Sequence, residues 1–275
     1  MQGVPKNLVK INRKLFDSVL PISGRTKLRQ YLLAKDKQRS AKRFKIIHNL
    51  FEDLNKVFDY NWFIDQPPTG VYSAYKLALN LDRRSCTYCN RTYTTTMTTD
   101  NGEKVMRLHF DHWYPKSKFP LLAISFYNLI PSCYTCNSSV KGDIELNISD
   151  HIHPYVDAAQ TSDFEFDFYF DGGLNRYKIF LVKKGDARAK STLEKLKIDV
   201  VYNSHLPELE DMILIEKSYS KVYIDEIKKL FKNSNLTDNQ IYRILFGTEL
   251  DIVDFHRQPL SKFKKDILRK IGLIP

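Results

Sequence analysis

Four cysteines, in two pairs of identical spacing, are the first residues in this 275-residue chain that suggest chemistry: Cys86 with Cys89, and Cys133 with Cys136. Two thiolates separated by two residues form a knuckle that offers both sulfurs to one ion. Two such knuckles brought together make a tetrahedral four-thiolate site, the set that a structural Zn2+ takes. A redox pair of the thioredoxin kind is the competing reading, but one pair would suffice for it and no βαβ pattern surrounds either. The 43 residues between Cys89 and Cys133 exceed the gap of a zinc ribbon, so further structure must fold inside the bracket.

Inside it, "LHFDHWYPKSKFPLLAISFYNL" carries the groups for hydrolysis. Asp111 offers a hard carboxylate to a divalent cation, and His112 an imidazole whose ordinary pKa of roughly 6.5 suits a general base. Neighbours on a strand face opposite ways, so both serve one site only where the strand ends. Pro115, which also restricts Tyr114, supplies that end. Asn128 can tie the histidine loop to the segment after it. Asn137 directly follows Cys136; if Cys136 is pinned to zinc and opens a helix, its amide oxygen meets Asp111 across a shared cation. An Asp-His pair taken alone reads as a capped strand end, and the zinc bracket and the two asparagines turn the reading toward catalysis. His109, His151 and His153 are read as structural. Lys116, Lys118 and Lys141 flank the motifs and would hold phosphates, the plain alternative for each being an ordinary surface lysine.

"LHFDHWYPKS", "NLIPSC", "CNSSVKG" and the flanking pairs together resemble the HNH, or ββα-metal, endonucleases in their zinc-bracketed form, over residues 85–145, about a quarter of the chain. The resemblance implies an α+β fold whose ββα core is stapled by the four cysteines. It also implies Asp111 and Asn137 as metal ligands, His112 as the base that activates water, and Asn128 as the residue orienting the histidine loop. Many relatives carry histidine where Asn137 stands. Two oxygen ligands and no imidazole favour Mg2+ or Mn2+ over Zn2+ or Ni2+. The implied reaction is hydrolysis of phosphodiester bonds, most naturally in double-stranded DNA, leaving a 5′ phosphate and a 3′ hydroxyl. The whole-chain texture, with "HPY" at His153 to Tyr155 and "HRQPLSKFKKDI" near the end, resembles HNH nuclease subunits of bacterial anti-phage systems of the Septu type. In those systems the nuclease partners an ATPase of the SMC/ABC-like, chromosome-maintenance class. The rivals are a zinc-stapled nucleic-acid or partner-binding module whose site is spent, and an HNH nuclease that cleaves RNA.

The elements that must position these residues follow from patterning. Helical spacing in "RFKIIHNLFEDLNKVF", a break at "DQPPTG" and a second helix in "VYSAYKLALNLD" lead into the first knuckle. "RTYTTTMTT" and "KVMRLHFDH" are expected to pair as one hairpin across Asn101 and Gly102. "SFYNLIPSCYTCNSSVKGD" reads as a loop entering the second knuckle, then a short helix. "FEFDFYF" and "YKIFLV" flank "DGGLNR" as another hairpin, and helices follow, one opened by a capping box at Thr237 to Gln240. Three segments result: a basic helical part (1–80), the zinc-bracketed core (81–150), and a hairpin with helices (151–275).

The net charge of +11 lies almost wholly in the first segment, which holds 15 Lys/Arg against 6 Asp/Glu. It is densest from Lys35 to Lys45, a candidate phosphate-contacting face whose plain alternative is a solvated helix face. No run reaches the roughly 18 apolar residues of a membrane span, and "MQGVPKNLVKINRKLF" lacks the apolar core of a secretory signal. The expected compartment is the cytoplasm, with no membrane partner.

Overall fold

Among the described residues, six α-helices precede the first knuckle: Pro5–Val19 (α1), Ile22–Leu33 (α2), Asp36–Arg39 (α3), Lys45–Val57 (α4), Tyr60–Asp65 (α5) and Ala74–Leu81 (α6). The computed structural model describes residues 4–68, 72–157, 163–218, 221–231 and 235–274. Pro5 opens α1, where a helix has no use for its missing N–H. The Asp59 side chain caps α5 by accepting from the Asn61 and Trp62 amides, and Ser73 caps α6 by accepting from Lys76. The prolines at 67 and 68 fall between those two helices, as expected; Thr69 and Gly70 of that break lie outside the described residues. Helices α1, α2 and α4 close on Phe16, Leu20, Tyr31, Ile47 and Phe51.

The described residues form three two-stranded antiparallel sheets. Met97–Thr98 (β1) pairs with Lys104–Met106 (β2), His109–His112 (β3) with Leu129–Ser132 (β4), and Phe164–Asp171 (β5) with Arg176–Lys183 (β6). The single long hairpin expected after the first knuckle is therefore divided. Its turn is present, with Gly102 at φ +80°. Its return strand, however, splits: Lys104–Met106 stays with β1, and His109–His112 leaves to pair with a segment read as loop. Leu108 and Phe110 account for the switch. They are buried with Phe63, Ala74, Leu77 and Leu129, whereas β2 is exposed throughout. Apolar burial outweighs a few more ladder bonds to a threonine-rich strand. Pro131 disguised β4, yet a two-stranded sheet leaves one edge of each strand unpaired, which is where proline is tolerated. A π-helical turn, Thr135–Lys141, comes almost directly after β4 and packs on β3.

In the last segment the β5–β6 hairpin forms as expected. Helices follow at Ala187–Lys195 (α7), Ile198–Tyr202 (α8), Leu206–Ser218 (α9), Lys221–Leu230 (α10), Asp238–Phe246 (α11) and Ser261–Lys270 (α12). Thr237 and Gln240 form the capping box of α11. The apolar clusters run across the segment boundaries near residues 80 and 150. Leu8 of α1 packs with Trp113, Leu122, Ile130 and Leu146, and the cysteines pack with Phe166, Tyr202, Phe263 and Ile267. Among the described residues, no helix is long and apolar enough to cross a membrane.

A candidate active site beside a four-cysteine cluster

Each knuckle lies where an extended segment meets a turn, the first after α6 and the second as β4 runs into the π-helical turn. The fold brings all four Sγ atoms within 4.8 Å of one another, in full burial and with no disulfide. Zn–S bonds of about 2.3 Å in a tetrahedron place sulfurs about 3.8 Å apart, so the cluster fits one structural zinc. The Cys136 amide points at Cys133 Sγ from 3.4 Å, a contact that favours thiolate.

Asp111 is the penultimate residue of β3, paired across the ladder with Ile130, and is 2% exposed. Its Oδ2 accepts a hydrogen bond from the Tyr88 hydroxyl at 2.6 Å and lies 3.2 Å from Lys141 Nζ. Lys141 Nζ also donates to the His112 carbonyl at 2.7 Å. Burial pushes the Asp111 carboxyl up and the Lys141 ammonium down, and each charge opposes the other's shift. Burial and then the Asp111 charge push the Tyr88 phenol well up, so it stays a donor.

His112 is partly exposed, with Nε2 at 2.9 Å from the Ala123 carbonyl oxygen. A carbonyl only accepts, so Nε2 carries the proton and Nδ1 keeps the lone pair. Burial lowers the imidazole to about 4, aided by the charges of Lys116 and Lys141 and opposed by the Ala123 hydrogen bond. The ring is therefore neutral at ordinary pH. Tyr60 sets its plane, standing edge-on to it at 4.5 Å while its hydroxyl donates to the Phe110 carbonyl at 3.2 Å.

Asn128 is fully buried. Its Oδ1 accepts from the Tyr114 amide at 2.7 Å, and its Nδ2 donates to the carbonyls of Tyr114 at 3.1 Å and Leu122 at 3.0 Å. This side chain ties both ends of the connection that presents the Ala123 carbonyl to His112. Asn137 is partly exposed; its amide donates to the Cys133 carbonyl at 3.0 Å, so the knuckle fixes its backbone.

The three flanking lysines have different fates. Lys116 is exposed, with Nζ 5.0 Å from the centre of the Tyr60 ring and so beside His112. Lys118 is held by Glu145 at 3.0 Å. Lys141 departs from the expectation altogether: a side chain with 0% exposure serves Asp111 and cannot reach a phosphate outside. The other histidines make structural contacts. His109 is edge-on to Tyr134, His153 Nε2 lies 2.9 Å from the Tyr127 carbonyl, and His151 Nδ1 accepts from the Asn147 amide.

Tyr88, Tyr60 and the Ala123 carbonyl are the groups that sequence reasoning missed. Tyr88 carried a signal, since it lies between two cysteines. Tyr60, fifty-two positions before His112, carried none.

Known proteins resemble this chain in part. Septu protein PtuB of Bacillus thuringiensis is 26% identical over 202 residues, which cover 70% of this chain and 66% of that protein. Protein ea31 of Escherichia phage lambda is 33% identical over 76 residues, 24% of this chain and 26% of its own length. The chain thus matches just under two thirds of the first relative and about a quarter of the second. No family model matches the sequence, and no solved structure matches it. The first likeness supports a relationship to Septu-type defence proteins.

Proposed function

We propose that this chain is a metal-dependent HNH-type endonuclease that hydrolyses DNA and serves a Septu-type anti-phage system. The observation that supports this most is the protonation pattern at His112. A neutral imidazole, its Nε2–H committed to the Ala123 carbonyl, leaves the Nδ1 lone pair free to take a proton, one residue after the Asp111 carboxylate on the same strand. The fixed tautomer and free lone pair are the geometry by which a general base takes a proton from water.

Asp111 and Asn137, both oxygen donors, would hold Mg2+ or Mn2+, which when bound supplies positive charge for the phosphoryl group and the leaving 3′ oxygen. His112 Nδ1 takes the proton of a water in line with the scissile phosphate. Asn128 keeps the Ala123 carbonyl in place, which holds the ring in the productive tautomer. The likeness to a Septu protein supports the defence role, and an SMC/ABC-like ATPase is the partner class this reading implies.

A nucleic-acid substrate is favoured by how the basic segment is attached. Arg39 donates to the carbonyls of Tyr31, Leu32 and, at 3.2 Å, Ser117, the residue after Lys116. This fastens exposed Lys35, Lys37, Lys42 and Lys45 to the histidine loop as one positive tract. Glutamate at Lys37, Lys42 and Lys45 together is expected to raise KM for duplex at least about tenfold with kcat unchanged. The slope of log affinity against log salt should fall by about 0.9 per lost phosphate contact. An unchanged slope would mean that the tract is only a solvated face.

The direct test of the function is nicking of supercoiled plasmid in Mg2+ or Mn2+. Cleavage should stop with EDTA and run at least about a hundredfold slower in His112→Ala. Equal rates would remove His112 as the base. Duplex binding without cleavage under any metal, with the ATPase partner present, would favour the binding module, and preferential loss of an RNA substrate would reassign the nucleic acid.

A further inference from the structure

We infer that Tyr88 and Lys141 are positioning residues through which the two cysteine knuckles aim the carboxylate of Asp111. This rests on the reading of Asp111 as a cation ligand. Each knuckle delivers one arm. Tyr88 lies inside the first, between Cys86 and Cys89, and its hydroxyl reaches Asp111 Oδ2 at 2.6 Å. Lys141 ends the π-helical turn that carries Cys136 of the second knuckle, and its Nζ meets the same oxygen at 3.2 Å.

The geometry of that turn is what returns Lys141 to β3. The Gly142 amide donates five residues back to the Asn137 carbonyl at 3.0 Å, a wider loop than an α-helix closes, and the Lys141 ammonium then bonds the His112 carbonyl at 2.7 Å. The first knuckle is fixed to the same sheet, since the Thr87 amide donates to the Pro131 carbonyl at 3.2 Å, directly across the ladder from Phe110. Both arms start from knuckles fixed to the β3–β4 sheet and converge on Oδ2, leaving Oδ1 as the oxygen that would face a cation. In this arrangement the cysteine cluster does more than hold the fold together, because it sets the direction in which the catalytic carboxylate points.

A hydroxyl that merely satisfied a buried acceptor would have no bearing on the cation, so Tyr88→Phe separates the two roles. The change keeps the ring and removes one hydrogen bond. Zinc content by elemental analysis and the thermal midpoint should stay near those of the unaltered chain. Binding of Mn2+, followed by loss of the free-ion paramagnetic resonance signal, should weaken about tenfold, as for other groups that orient a metal ligand. The metal concentration for half-maximal plasmid cleavage should rise by the same factor. Unchanged Mn2+ affinity in Tyr88→Phe would overturn the inference. Asp111→Asn provides the reference for the wider reading. If Mn2+ binding depends on Asp111 and weakens in Tyr88→Phe but no nucleic acid is cut, the nuclease reading fails and the positioning role stands. If the unaltered chain shows no Mn2+ site that depends on Asp111, both fall.

Discussion

Serine at Cys133 is expected to cost the chain its cooperative fold, well beyond the one or two kcal/mol of an ordinary core change. The four thiols are embedded in the same apolar cluster as Phe166, Leu193, Tyr202, Phe263 and Ile267, drawn from the C-terminal hairpin and helices. Polar ties converge there too. The Tyr202 hydroxyl donates to the Cys89 carbonyl at 2.6 Å, and the Asn90 side chain donates to Ser85 Oγ and to the Phe255 carbonyl, each at 2.7 Å. A structural zinc contributes about 10–16 kcal/mol of apparent binding free energy, against a net stability of about 5–15 kcal/mol for a typical domain. Losing one ligand removes enough of this to unfold the centre and release the C-terminal segment from it. The measurements are zinc per chain and a urea transition followed by circular dichroism. Cys133→Ser should lose both its zinc and its sigmoidal transition, and a strong chelator should reproduce the loss in the unaltered chain. A variant that still unfolds cooperatively near the original midpoint would show that apolar packing alone holds this region.

The cysteine bracket was legible in sequence because its information is local, two ligands per knuckle at fixed spacing. Long-range pairing was not. Leu108 and Phe110 decide that β3 leaves the first hairpin, and nothing within a few residues of them announces the partner strand. Lys141 read as a phosphate-holding lysine because an ammonium is buried only when paired, and its partner lies thirty positions earlier. The two knuckles also show how one pattern takes two fates. An asparagine stands directly after each. Asn90 adopts the left-handed conformation, φ +49°, and turns its side chain onto the C-terminal segment, whereas Asn137 continues into a helical turn. The residues C-terminal to each asparagine decide between the two, extended chain in the first case and "SSVK" in the second. The identity of Asn137 as a hard donor could be read from the chain; the Tyr88 and Lys141 contacts to Asp111 needed the fold.

Methionine at Lys141 is expected to destabilise the protein by about 3–5 kcal/mol, the usual cost of removing one partner from a buried ion pair. Methionine nearly matches lysine in length and suits an apolar site, so the loss comes from the abandoned charge and not from a cavity. Asp111, at 2% exposure, would keep the Tyr88 hydroxyl and the His112 amide but no charge partner. The pH dependence takes its sign from the carboxyl. Burial already raises Asp111 above its ordinary 3.8, and the Lys141 charge is the largest influence opposing it. Without that charge the folded-state value climbs further. A group with a raised folded value contributes stability when protonated and loses it as pH rises through that value. The deficit of Lys141→Met should thus be smaller near pH 4.5 than at pH 7, measured as urea midpoints at both. A deficit below about 1 kcal/mol at pH 7, or one independent of pH, would show that the pair contributes little. Replacing both partners, Lys141→Met with Asp111→Leu, should recover most of the lost stability, because a well-packed apolar pair serves a core at least as well as ions do. That double variant should nevertheless bind no Mn2+. The pair is then retained at the end of β3 for the sake of a charged carboxylate, a requirement that stability alone does not impose.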